Sequence, residues 1–241
     1  MDFKQTKWNE FDCIEFNFEG NPARIIKPNC APNSKWALKT EYSDAFPDTE
    51  IELLNRGWHV AFNQNDNRWA EEKDLYRKAN FVSYIPKAFN LEEKCLLVGM
   101  SCGGLYAVKL SALIPDKISA LYLDAPVLNL LSCPCSLGVA TDDLYPEYFA
   151  ITGRTKSQML SYRDHPIDKM DILLKHGLPI LLICGDTDET VPYEENGKIL
   201  KDFYEENGGV IYTLLKKDCG HHPHGHPSPK DAATIIESLV K

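Results

Sequence analysis

Short runs rich in β-branched and aromatic residues, CIEFNF, ARIIK, WHVAF, KCLLVG, ISALYLD, PILLICG and VIYTLLK, alternate along the chain with helix-length amphipathic segments. This alternation constrains the fold more than any other feature. Strands separated by helices are joined by crossovers rather than hairpins, so they lie parallel, and the connecting helices cover both faces of the sheet. The first two runs depart from the rule: only Glu19-Gly20-Asn21-Pro22, a hairpin-type turn, separates them, so the sheet begins antiparallel. The expected architecture is α/β, with a mainly parallel central sheet. A length of 241 residues lies near the upper end of what one hydrophobic core organises, so a single domain over 1–241 is expected. Between about 127 and 178 the alternation lapses into a long irregular stretch that includes SCPCS and YPEYFAITGRTK. That stretch is expected to be a small helical, cap-like insertion over the carboxyl edge of the sheet, where open α/β sheets bind ligands.

Composition narrows the class of partner. With 44% hydrophobic and 25% charged residues and no long apolar span, neither a membrane-spanning nor a disordered chain is expected. A formal net charge of -9 without a basic cluster argues against nucleic acid. The N-terminal MDFKQTKWNEFDCIEF carries acidic residues and no apolar h-region, so a cytoplasmic protein is expected. Of the eight cysteines, Cys133 and Cys135 form only a CxC pair with no second such pair, which favours ordinary loop cysteines over a metal or redox site.

The chemistry concentrates at Gly99-Met100-Ser101-Cys102-Gly103, a GxSxG turn set between the strand-like KCLLV and the helix-like LYAVKLSALI. In a strand-to-helix turn this tight the glycines avoid clashes and the serine hydroxyl stands above the sheet edge. A hydroxyl that merely caps the helix is the structural alternative. As a nucleophile, Ser101 needs a base, and the base needs an orienting acid. Asp186 and Asp188 follow the strand PILLICG, and His221 and His222 follow VIYTLLK, so acid and base candidates fall on the same carboxyl edge in the order Ser, Asp, His. The Cys102 backbone amide would form half of an oxyanion hole.

On these residues the chain resembles the α/β-hydrolase superfamily, in its prolyl-oligopeptidase-like and acyl esterase branch. GMSCG, GDTDETVP against the family's GxxDxxVP, and the CGHH segment carry the resemblance from about residue 23 onward. It implies an α/β-hydrolase fold, Ser101 as nucleophile, Asp188 as acid and His221 as base. Asp186 and Asp124 stay open as alternative acids. The resemblance also implies a second oxyanion donor in the loop after the third strand, read as residues 28–36, with Trp36 and Cys30 as candidates.

Three further features bear on the site. The run His221, His222, His224, His226 offers imidazoles, yet its prolines and glycine deny it a helical i, i+4 face, so no metal is expected, and no cofactor either. Tyr145, Tyr148 and Phe149 of the insertion are candidate acyl-pocket residues, with packing of the insertion itself as the alternative. The polar loop 63–69 suits a hydroxylated substrate such as an acylated sugar, or is simply a solvated turn. The resulting expectation is a serine hydrolase, foremost a carboxylesterase cleaving a small acyl ester. A peptidase for short peptides and a noncatalytic binding protein on the same fold are the rival readings.

Overall fold

The computed structural model describes residues 2–141 and 143–240. The chain opens with three antiparallel strands, β1 (Lys4–Trp8), β2 (Phe11–Phe18) and β3 (Asn21–Ile26). There follow β4 (Trp36–Lys39), α1 (Asp48–Asn55), β5 (His59–Asn63), α2 (Glu72–Phe89), β6 (Cys95–Met100), α3 (Cys102–Leu113) and β7 (Ile118–Asp124). Three short α-helices, α4 (Tyr145–Thr152), α5 (Lys156–Met159) and α6 (Met170–Lys175), lie within the stretch 127–178. The chain closes with β8 (Ile180–Gly185), α7 (Gly197–Glu206), β9 (Ile211–Lys216) and α8 (Pro229–Leu239). The strands form one sheet in the order β1-β2-β3-β5-β4-β6-β7-β8-β9. β3 pairs antiparallel with β5, and every pair from β5 to β9 is parallel.

Every residue of β6 and of β8 is buried, as uninterrupted apolar strands covered on both faces require. One core, around Leu97, Leu105, Tyr106, Phe81 and Leu200, packs α2, α3 and α7 on one face of the sheet. The other, around Leu53, Trp58, Ala233 and Ile236, packs α1 and α8 on the opposite face. The turn between β2 and β3 has positive φ at both Glu19 (48°) and Gly20 (93°), the geometry whose twist matches a two-residue hairpin. Among the described residues no helix is long and apolar enough to cross a membrane.

Two strands escape a reading by pattern. β1, KQTKW, buries only Trp8 and is an edge strand whose Lys7 pairs with Asp12 of β2 at 2.7 Å. Charged side chains of this kind discourage edge-to-edge association. β4, WALK, is four residues long and ends on a lysine, yet all four are buried. Its Lys39 amine meets the Glu50 carboxylate of α1 at 2.5 Å and donates to the Ala45 carbonyl at 2.6 Å, with both charged side chains only 2% exposed. A charge is tolerated there because a partner and a carbonyl satisfy it.

The position of β4 moves the expected oxyanion loop. Because β4 lies between β5 and β6, the segment beside the serine turn is residues 40–47, which follow Lys39. Residues 28–35 precede β4 and lie at the opposite, amino edge. Trp36 is the first residue of β4, paired with His59 at the start of β5, and its indole N–H donates to the Glu92 carbonyl at 2.8 Å. The Cys30 thiol lies against the Leu54 and Asn55 carbonyls at the end of α1. Neither residue reaches Ser101, which corrects both sequence expectations.

Candidate active site

Ser101 sits between β6 and α3 with φ 50° and ψ −123°, outside the regions that side chains favour. The surrounding backbone holds it there: its N–H donates to the Asp124 carbonyl at 2.9 Å, and its own carbonyl accepts from Gly104 at 2.9 Å and Val127 at 3.0 Å. The turn admits little bulk. A Cβ at Gly99 would lie 2.6 Å from the Gly103 carbonyl oxygen, and one at Gly104 would collide with Pro126 Cβ. A strained residue costs on the order of 1–3 kcal/mol, part of which glycine returns as chain entropy. Ser101→Gly is therefore expected to raise unfolding stability by about 1 kcal/mol, read as a higher urea midpoint. A lower midpoint would show that the turn stores no strain.

Three loops at the carboxyl edge bring the expected residues together. His221 Nε2 lies 3.0 Å from Ser101 Oγ, and His221 Nδ1 lies 2.8 Å from Asp188 Oδ2. The other oxygen of Asp188 accepts the backbone N–H groups of Thr190 at 2.9 Å and Val191 at 2.8 Å, which fixes the carboxylate against its own turn. Asp186 is placed differently, accepting from the Cys219 N–H at 3.3 Å and so tying the loop after β8 to the loop after β9. Asp124 faces His224, whose Nδ1 lies 3.2 Å from its carboxylate, and also accepts from the Gly225 N–H.

The triad opens into a cavity of about 270 Å³ that Tyr42, Phe46, Arg68, Leu144, Thr190 and His222 also line. Tyr42, in the segment after β4, is the residue the sequence reading missed. Its phenol is pushed well above the ordinary range, by burial first and by the neighbouring Cys102 second, so it remains an O–H donor. Cys102, the first residue of α3, is itself buried, and burial raises its thiol to about 11. It therefore stays protonated, which leaves it a poor nucleophile. The Arg68 guanidinium is held cationic chiefly by Glu147 of α4, which it grips with two N–H groups, so the insertion is anchored to the rim of the cavity. Burial, then His224 and His221, lower the pKa of His222.

The expected acyl-pocket aromatics lie elsewhere. Tyr148 is buried, packs edge-on against Trp69 at 5.3 Å and directs its hydroxyl to Met159 Sδ. Tyr145 packs on Phe149 at 5.9 Å, with the Phe149 ring exposed, and its hydroxyl bonds the Arg154 carbonyl. The insertion reaches the cavity instead through Leu144, one residue before α4. Loop 63–69 likewise spends its polar groups internally: Asn65 donates to the Thr40 carbonyl, and the N–H groups of Asp66 and Asn67 bond the buried Asp74. From that loop Arg68 lines the cavity.

A sequence profile of the prolyl oligopeptidase family of peptidases matches residues 56–240. The chain belongs to this family. No curated protein sequence matches it as a relative. Among solved structures, this family member resembles a puromycin hydrolase with a TM-score of 0.71 and 17% identity, over 98% of this chain and 38% of that one. It resembles an acylaminoacyl peptidase of Pyrococcus horikoshii with a TM-score of 0.69 and 13% identity, over 99% of this chain and 40% of that one. An acetyl xylan esterase of Thermoanaerobacterium sp. gives a TM-score of 0.63 and 16% identity, with 100% of this chain and 88% of that one covered. At such identities the likeness is one of fold, the α/β-hydrolase fold. The chain spans about two fifths of the length of the first two.

Proposed function

We propose that the protein is a serine hydrolase that cleaves a small carboxylic ester through an acyl-enzyme. The observation that carries this reading is the unbroken hydrogen-bond line from Ser101 Oγ through His221 to the buried Asp188. With Nδ1–H donated to Asp188, the Nε2 lone pair faces the serine proton. Ser101 Oγ attacks the carbonyl as His221 takes its proton. The ester C–O bond then breaks as His221 returns that proton to the departing alkoxide. Water repeats the sequence against the acyl-enzyme and releases the acid. The Cys102 amide and the Tyr42 hydroxyl flank the serine and stabilise the oxyanion.

A small ester is favoured because the cavity is only about 270 Å³ and Leu144 and Phe46 narrow it. The near-complete overlap with the acetyl xylan esterase, 88% of that chain, points the same way. Peptide hydrolysis is the second reading, supported by family membership and by the puromycin hydrolase and acylaminoacyl peptidase folds. A panel of p-nitrophenyl esters and aminoacyl anilides decides between them. Turnover of acetyl and propionyl esters with negligible anilide cleavage is expected, and the reverse preference would replace the esterase reading. Tyr42→Phe is expected to lower kcat about 10²-fold with little change in KM, as for loss of one oxyanion donor. An unchanged kcat would remove Tyr42 from that role.

A further inference from the structure

We propose that His221, His222 and His224 form a binding site for a divalent transition-metal ion of the zinc class, and that its occupation turns the hydrolase off. The loop after β9 folds back so that the three rings form a nearly equilateral triangle, with centroids 5.1, 4.8 and 4.9 Å apart. One nitrogen from each ring lies within 4.8 Å of the others. Tetrahedral zinc, with Zn–N of about 2.0–2.1 Å, needs nitrogens about 3.3 Å apart. Small ring rotations in a loop that is partly exposed supply the remaining closure. The fourth histidine of the run stands apart, accepting the Ser228 N–H at 2.9 Å on its Nδ1.

Two of the three rings are already held as metal ligands are held. Nδ1 of His221 rests on Asp188 at 2.8 Å and Nδ1 of His224 rests on Asp124 at 3.2 Å, on carboxylates whose side chains are 1% and 3% exposed. A histidine whose Nδ1–H is donated to a carboxylate presents Nε2 as a fixed, basic lone pair, the arrangement found behind most metal-bound imidazoles. His222 stacks on Phe46 at 5.7 Å and closes the triangle from the exposed side. The fourth coordination position then faces the cavity, where water completes the tetrahedron.

This inference rests on the reading of His221 as the base. The lone pair that a metal would take is the one that must receive the Ser101 proton across 3.0 Å. Metal and proton compete for the same orbital, so the ion acts as an inhibitor and not as a cofactor.

The test titrates chelator-treated, dialysed protein with zinc chloride by calorimetry, in the wild type, His222→Ala and His224→Ala. In parallel, fluorophosphonate labelling of Ser101 is timed with and without zinc. One equivalent of zinc is expected to bind, and each substitution is expected to weaken it at least about tenfold. The ratio of labelling rates without and with zinc should be large in the wild type and approach one in His222→Ala. No binding, or binding that both substitutions leave unchanged, overturns the site. Binding that leaves labelling unaffected overturns its inhibitory role. Absence of labelling even without zinc would instead count against the hydrolase reading, while the calorimetry still reports on the site. Circular dichroism distinguishes a weakened site from an unfolded variant, and His222, exposed on the loop, provides the variant least coupled to folding.

Discussion

His221→Ala should lower turnover of the preferred ester by about 10⁴-fold or more, the loss seen when the base of a serine triad is removed. His222→Ala, measured beside it without metal, should lose far less. The two imidazoles are neighbours in sequence, but only His221 joins Ser101 Oγ at 3.0 Å to Asp188 Oδ2 at 2.8 Å. The His222 ring lines the same cavity but packs in a stack on Phe46 rather than in that line. Ser101→Ala and His221→Ala should fall to a common residual rate, since residues that act as one unit are not additive. That residue of activity belongs to the oxyanion donors and to binding. Should His222→Ala prove the inactive variant, the base would have to be reassigned and the hydrogen-bond line redrawn.

The second large effect is expected on stability. Lys39→Met keeps most of the buried volume but leaves the Glu50 carboxylate, 2% exposed, without its counter-ion, and should cost about 3–5 kcal/mol. Urea unfolding followed by fluorescence and by circular dichroism would measure it. Adding Glu50→Leu should recover most of the loss, because replacing both members of a buried ion pair by apolar groups is often neutral or better. A single variant that is no less stable than the wild type would mean that the pair carries nothing. Activity should fall further than stability in Lys39→Met, since the same amine holds the Ala45 carbonyl and with it the segment that bears Tyr42.

Those two sites also show what a sequence can and cannot disclose. Ser101, Asp188 and His221 are legible because each sits in a turn whose backbone admits few residues. GMSCGG tolerates little bulk at Gly99 and Gly104, and GDTDETVP needs the Asp188 carboxylate to receive the Thr190 and Val191 amides. Local chemistry writes such motifs locally. β4 is illegible for the opposite reason: four residues ending in lysine carry no period, and Lys39 becomes acceptable in a core only through Glu50, eleven positions along the chain. Without β4 in the strand count, the loop after the third strand reads as residues 28–36, which holds Trp36 and Cys30 but not Tyr42. The aromatic residues of the insertion mislead similarly, because Tyr148 and Leu144 are both apolar enough for either role. In the fold Leu144 lines the cavity, while Tyr148 packs on Trp69 and α4 docks through Glu147 on Arg68.

The loop that bears His221, the proposed base, follows an edge strand, β9. Among the described residues β9 pairs with β8 alone and keeps no residue fully buried, while β6 beneath Ser101 is buried throughout. Edges of a sheet open at lower free energy than its centre. On warming, β9 and its loop would detach first, carrying His221 away while Ser101 stays seated on an intact β6. Catalysis would then fade several degrees before the protein melts and return on cooling, so the heat limit of this molecule as an enzyme lies below its heat limit as a fold.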